Sequence, residues 1–191
     1  MSVELIQNQE IPGGFTLRAL APGDAPGLAD AYTDNRAHLA PWEPVRPDSF
    51  FTVRGQAERI EGLLRSCTDG TVAPWIIETP DGRIAGAITL SGISRGPFCS
   101  ASVGYWVAAD RQNRGLASAA LERVCDLARD RLGLHRVEAS TLTDNTGSQR
   151  VLEKCGFAPI GLAPQYLHIN GAWRDCRLFQ RVLHDNVPAA L

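Results

Sequence analysis

Between residues 115 and 132 an apolar side chain returns at every fourth position: Leu116, Ala120, Val124, Ala128 and Leu132. Ala117 and Leu121 widen that stripe, so the segment predicts an amphipathic helix with one buried face. Gly133 is placed to stop it, because glycine takes the left-handed backbone of a helix end without strain. A second helix is expected over about 53–66, where Ile60, Leu63 and Leu64 share a face. Another should run from Asp24, a candidate cap, to about His38.

Short apolar runs between these helices predict strands. They lie at 15–20, 73–78, 83–90, 100–107, 135–141, 157–161 and 175–182. Pro80-Asp81-Gly82 should close a hairpin, Ser94 to Pro97 should turn the chain again, and Asn170-Gly171 should form a further turn. A short helix is expected over 146–155, ending at Gly156. Three prolines, Pro41, Pro44 and Pro47, mark 40–49 as a loop. No repeat or linker interrupts the pattern. The expected fold is a single α/β (α+β) domain over residues 1–191 with a mixed sheet.

Composition changes this picture only by exclusion. The 191 residues are 44% hydrophobic and 21% charged, with a net charge of -2. That balance lacks the basic excess of a nucleic-acid-binding domain, so no nucleic acid partner is expected. No apolar run reaches the roughly 20 residues needed to cross a bilayer, and the N-terminus carries no basic-then-apolar leader. The five cysteines form no CxxC pair and the four histidines are scattered, so neither a disulfide framework nor a metal site is expected. A cytoplasmic protein follows. Lys154 is the single lysine, which suits a GC-rich, bacterial genome.

The candidate chemistry lies between the strand at 100–107 and the strongest helix. Gln112, Asn113, Arg114, Gly115, Leu116 and Ala117 form a turn whose small residues allow close backbone approach. The helix start that follows offers unpaired N–H groups and a partial positive charge. Arg111 and Arg114 add to it. Such a turn seats a pyrophosphate. It is also what an ordinary strand-to-helix connection looks like, and the turn by itself does not separate the two readings.

Two motifs in order separate them. The stretch 103–117 resembles the central signature of the GCN5-related N-acetyltransferase (GNAT) superfamily, a strand followed by Q/R-x-x-G-x-G/A at a helix start. Residues 145–157 read Asn-x-x-Ser-x-x-Val-Leu-Glu-Lys-x-Gly-Phe, which is similar to the RimJ/RimL-like ribosomal-protein N-acetyltransferase branch. His38-Leu39-Ala40-Pro41-Trp42-Glu43-Pro44 resembles that branch too. The resemblance reaches from about residue 15 to 182. It implies a central, mostly antiparallel twisted sheet of about seven strands flanked by helices, with a splayed strand pair that binds acyl-CoA.

The resemblance also implies a mechanism: acetyl-CoA, or a related acyl-CoA, as co-substrate, no metal, and direct transfer to an amine in a ternary complex. The acceptor would be a peptide N-terminus or a small molecule. Succinyl-CoA or another acyl-CoA as donor, and a non-catalytic acyl-CoA-binding regulatory module, are the alternatives; a homodimer is left open. Backbone at Trp106 and Val107 would pair with the pantetheine arm, which Asn145 would also contact. Many relatives carry a tyrosine where this chain has Leu152. Ser148, one turn earlier on the same helix face, is then the expected partner of the leaving sulfur. For the general base, Glu138 and His168 are the candidates. Trp42, Tyr105, Tyr166 and Trp173 are candidate pocket aromatics.

Overall fold

The computed structural model describes residues 8–186. The expectation about the N-terminal leader and the outer limits of the 1–191 domain fall outside that range. The elements in chain order are β1 (Gln9–Ile11), β2 (Phe15–Ala19), α1 (Ala25–Asp34), α2 (Arg36–Leu39), α3 (Val53–Thr68), β3 (Val72–Glu78) and β4 (Ile84–Ser94). They continue as β5 (Ser100–Val107), α4 (Leu116–Asp130), β6 (Arg136–Leu142), α5 (Thr146–Lys154), β7 (Ala158–Ile169) and β8 (Ala172–Val182). Eight strands form one sheet in the order β1-β2-β3-β4-β5-β6-β8-β7. Every neighbouring pair is antiparallel except β5 and β6, which are parallel. A parallel pair needs a long crossover, and α4 provides it. Among the described residues no helix is long and apolar enough to cross a membrane.

Each face of the sheet carries a helical layer. On one face Leu121, Val124 and Cys125 of α4 and Leu152 of α5 pack on Trp75, Ile88, Leu90 and Val137. On the other, Leu28 and Tyr32 of α1 and Ile60 of α3 pack on Ile76 and Trp106. β3 is therefore buried on both sides, which explains why its sequence is continuously apolar rather than alternating. Leu121 and Val124 of α4 are fully buried, and each such side chain contributes roughly 1.5–3 kcal/mol over an exposed one. The periodicity read from the sequence has become the packing that fixes α4 on the sheet.

The structure departs from the sequence reading in five places, one of them the start of β8 at Ala172 rather than 175. β1 is an eighth strand: its three residues pair with β2 across the Gly13-Gly14 turn, too short a run to show an alternating pattern. The helix expected to continue to His38 breaks at Asn35. That buried side chain donates to Ala31 O (2.8 Å) and accepts from the Ala109 N–H (2.8 Å), so its amide competes with the helical ladder. β4 runs past Leu90 to Ser94 through a register shift near Gly92, whose φ is 61°. β7 runs to Ile169 rather than 161, with register shifts on either side of Ala163. Those irregularities suit an exposed edge strand that contains Pro159 and Pro164.

One close approach sets the spacing of the strands beside the site. A Cβ on Gly86 of β4 would lie 2.3 Å from Trp106 O and 3.2 Å from Val107 Cα. Gly104, on β5 itself, faces open space. Gly86→Ala should therefore cost about 1–3 kcal/mol, as overpacking does. Gly104→Ala should be neutral or stabilise by roughly 0.4–1 kcal/mol through the unfolded chain. Urea unfolding of the two variants checks the contrast.

Candidate active site

Strands β5 and β6 pair over three residues only, Ser100–Arg136, Ala101–Val137 and Ser102–Glu138. Beyond them the strands part. The outer edge of β5 stays bonded to β4 as far as Val107, and that of β6 to β8 as far as Leu142. Two facing backbone edges, 103–107 and 139–142, are left without a strand partner. Edges without a strand partner leave backbone N–H and C=O groups available to an extended ligand in the gap. A cavity of about 830 Å³ occupies it.

The cavity passes through the sheet from one helical layer to the other. On the α4–α5 side it is lined by Gln112, Asn113, Gly115, Leu116 and Ala117, and by Asn145 and Ser148. Asn113 and Gly115 have φ of 59° and 75°, and Gly115 is the N-cap of α4 with no side chain bonded to the first turn. The N–H groups of that turn are thus free to hold an anion. Arg114 is exposed and outside the lining, whereas Arg111, Arg150 and Lys154 line it. Arg150 and Lys154 make no ion pair among the described residues. The chain's single lysine, plain in the sequence, faces the cavity.

At the start of α5 the Asn145 carboxamide oxygen accepts the Ser148 N–H at 3.0 Å, which caps the helix and fixes Ser148 at the gap. Its hydroxyl lies 2.9 Å from the Tyr105 hydroxyl. Tyr105 belongs to β5, where Val103, Tyr105 and Val107 point to the α4–α5 side and Trp106 to the other. Leu152 is buried in the core, so the phenol absent from that helix position arrives from the neighbouring strand. Burial pushes the Tyr105 phenol up to about 12, and the bond to Ser148 pulls against it. Burial thus favours the protonated phenol. Thr141, on the open edge of β6, is 5% exposed, lines the cavity and has no partner for its Oγ1. Sequence reading passed over Tyr105 as a catalytic element and over Thr141 altogether. The alternation of β5 held a signal for the first, and only the parting of the strands shows the second.

Two candidate bases stand elsewhere. Glu138 sits at the last β5–β6 pair and is bonded to Arg136 at 2.8 Å, outside the cavity lining. His168 lies between Leu167 and Ile169, which line the cavity, so the alternation of the strand sends its side chain to the opposite side. There it packs edge-on against exposed Trp173, with centroids 5.5 Å apart. Of the four candidate aromatics, Trp42 and Tyr105 line the cavity, while Tyr166 and Trp173 do not.

None of the five cysteines lines the cavity, and all are buried. Burial pushes the Cys125 thiol up to about 12 and the Cys155 thiol up to about 11, which disfavours the thiolate a nucleophile needs. Among the described residues no group of three or more His, Cys, Asp or Glu side chains is arranged to hold a metal ion.

Comparison with known proteins places this geometry. A family model described as an acetyltransferase (GNAT) domain matches residues 15–158. The chain is 35% identical over 160 residues to a probable N-acetyltransferase, YjcK, of Bacillus subtilis, covering 83% of this chain and 88% of that one. It is 32% identical over 162 residues to the ribosomal protein uS5-alanine N-acetyltransferase of Escherichia coli, covering 84% of each. A solved structure of Mycobacterium smegmatis RimJ in complex with CoA-disulfide superposes with a TM-score of 0.87 at 33% identity, covering 94% of this chain and 87% of that one. With sequence and backbone in agreement along most of its length, the chain belongs to the GNAT acetyltransferase family and is an acyl-CoA-dependent N-acetyltransferase.

Proposed function

We propose that the enzyme transfers an acetyl group from acetyl-CoA to the α-amine at a protein N-terminus, directly and within a ternary complex. The observation that carries the reading is the single cavity in which an open β5 edge, an uncapped α4 start and the Ser148–Tyr105 pair meet. The open edge at Trp106 and Val107 offers backbone partners to the pantetheine amides, with Asn145 and Thr141 beside them. The first turn of α4 holds the pyrophosphate, and Arg111, Arg150 and Lys154 neutralise its charge. The coenzyme complex of the RimJ neighbour and the alanine N-acetyltransferase activity on ribosomal protein uS5 named for the Escherichia coli relative support the same reading.

Transfer replaces a C–S bond by a C–N bond, and one proton passes overall from the amine to the sulfur. A backbone N–H near Val107 can receive the oxyanion that forms on the way. Ser148 faces the departing sulfur. Tyr105 reaches both the Ser148 hydroxyl, at 2.9 Å, and its carbonyl oxygen, at 3.3 Å; when its proton is given to Ser148 Oγ, the serine proton is left to point toward the cavity. A coenzyme A thiolate, with an acidity near cysteine's at about 8.5, leaves reasonably well by itself, so the serine assists rather than enables. An α-amine, at about 7.7–8, is already partly neutral near pH 7 and asks little of a base. The buried, unpaired thiols suit a reducing, cytoplasmic setting.

Two outcomes test this arrangement. Gly115→Glu places bulk and negative charge on the anion seat and should weaken acetyl-CoA binding on the order of a hundredfold. Gly115→Ala brings only backbone strain and should weaken it far less; titration calorimetry on the folded variants compares them. Ser148→Ala should lower kcat about a hundredfold with acetyl-CoA affinity nearly intact. Tyr105→Phe removes one neutral hydrogen bond and should cost up to about tenfold. Because the two act as a unit, the double variant should be no slower than Ser148→Ala. Additive losses in single-turnover kinetics would show that Tyr105 acts elsewhere.

A further inference from the structure

The cavity has a second half, on the α1–α3 side, away from Ser148 and the start of α4. Tyr32, Leu39, Trp42, Glu43, Arg46 and Arg59 line it. Glu43 is the sole carboxylate among the described residues that line the cavity. Its backbone oxygen accepts the Asn170 N–H at 3.0 Å, which ties the proline-rich loop to the β7–β8 turn. Its carboxylate lies 3.4 Å from Arg46, with side chains 20% and 35% exposed. Glu43 is held in place yet open to the cavity.

Two cations beside it lie over aromatic rings. Arg46 stacks over Phe50 at 4.6 Å and Arg59 over Tyr32 at 5.6 Å. Arg59 has one long bond, 3.5 Å to Gln56, and no carboxylate partner among the described residues. All three charges surround the Tyr32 phenol, whose hydroxyl accepts the Trp106 indole N–H at 2.9 Å. Trp106 lies on the open edge of β5. The charged cluster is therefore coupled to the strand along which the acyl group would lie. A smaller cavity of about 160 Å³, also lined by Arg36 and Phe51, shares Tyr32, Leu39, Glu43 and Arg46 with the main one.

One anion beside two guanidiniums matches a ligand with an ammonium and an adjacent acyl oxygen. It repels a ligand whose charges are all positive. We propose that Glu43 binds the ammonium of the acceptor and takes its proton, while Arg59 holds the first carbonyl oxygen of a peptide N-terminus, so that α-amines of peptides are selected over polyamines. The inference rests on the reading of the donor half given above. The step moves one proton from the acceptor's ammonium to the Glu43 carboxylate and leaves the neutral amine to attack.

The probes are the tetrapeptides Ala-Ala-Gly-Trp and Ser-Ala-Gly-Trp, free alanine and spermidine. In the wild-type enzyme the peptides should have the highest kcat/KM and spermidine the lowest. Glu43→Gln, which keeps shape and removes charge, should lower kcat/KM for the peptides roughly thirtyfold or more at pH 7. Much of that loss should return at pH 9, where the α-amine is neutral by itself. A purely structural defect would not recover with pH. Acetyl-CoA affinity by calorimetry should stay unchanged, which separates failure here from failure of the donor site. Arg59→Gln should raise KM for the peptides and narrow the gap to spermidine. Unchanged peptide kcat/KM in Glu43→Gln at pH 7, a pH-independent loss, loss of acetyl-CoA affinity in that variant, or spermidine as the preferred wild-type acceptor would each overturn the assignment.

Discussion

The constraint on which the structure depends is the parting of β5 and β6 after three residue pairs. A sheet that stops bonding in its middle exposes backbone donors and acceptors that must find another partner. Their arrangement is fixed because successive side chains of the open edge anchor in opposite helical layers. Tyr105 reaches α5 through Ser148, and Trp106 reaches α1 through Tyr32. The edge is thereby held straight and apart from β6 without any strand beside it. Gly86 lets β4 support that edge at close range, where any side chain would push it away.

The same two anchors divide the chemistry. Tyr105 leads to the side where α4 and α5 present amide N–H groups and cations, suited to phosphates and a departing thiolate. Trp106 leads to the side where a carboxylate and two guanidiniums face each other. On the proposed reading, donor and acceptor would meet at one strand and approach it from opposite faces of the sheet. This explains how an almost neutral chain, with a net charge of -2, can carry a strongly cationic cleft. Charge is sorted locally, and the total says little about the site.

What the sequence displayed and what it hid follow from the range of each signal. The α4 stripe and the Gly115 turn are local, and each was legible because a few adjacent residues determine it; Asn145 and Ser148 stood out only through the resemblance, and the cap that joins them came with the structure. Asn35 breaks its helix through a bond to Ala109, far along the chain, and no local pattern reports that. Glu138 and His168 were plausible bases by residue type. Whether a strand residue faces a cavity depends on register, though, and register placed one against Arg136 and the other against Trp173. Glu43 was visible only as part of a family-like motif in a proline-rich loop. Its place in the cavity arises from the bond to Asn170 across the fold.

The account stands most directly on the open β5 edge as the place where the donor lies. Hydrogen–deuterium exchange with and without saturating acetyl-CoA measures it amide by amide. Slowed exchange over residues 103–107 and the first turn of α4, with β2 and β3 unchanged, is the predicted result. Protection confined to other segments, or tight binding with no protection over 103–107, would contradict it.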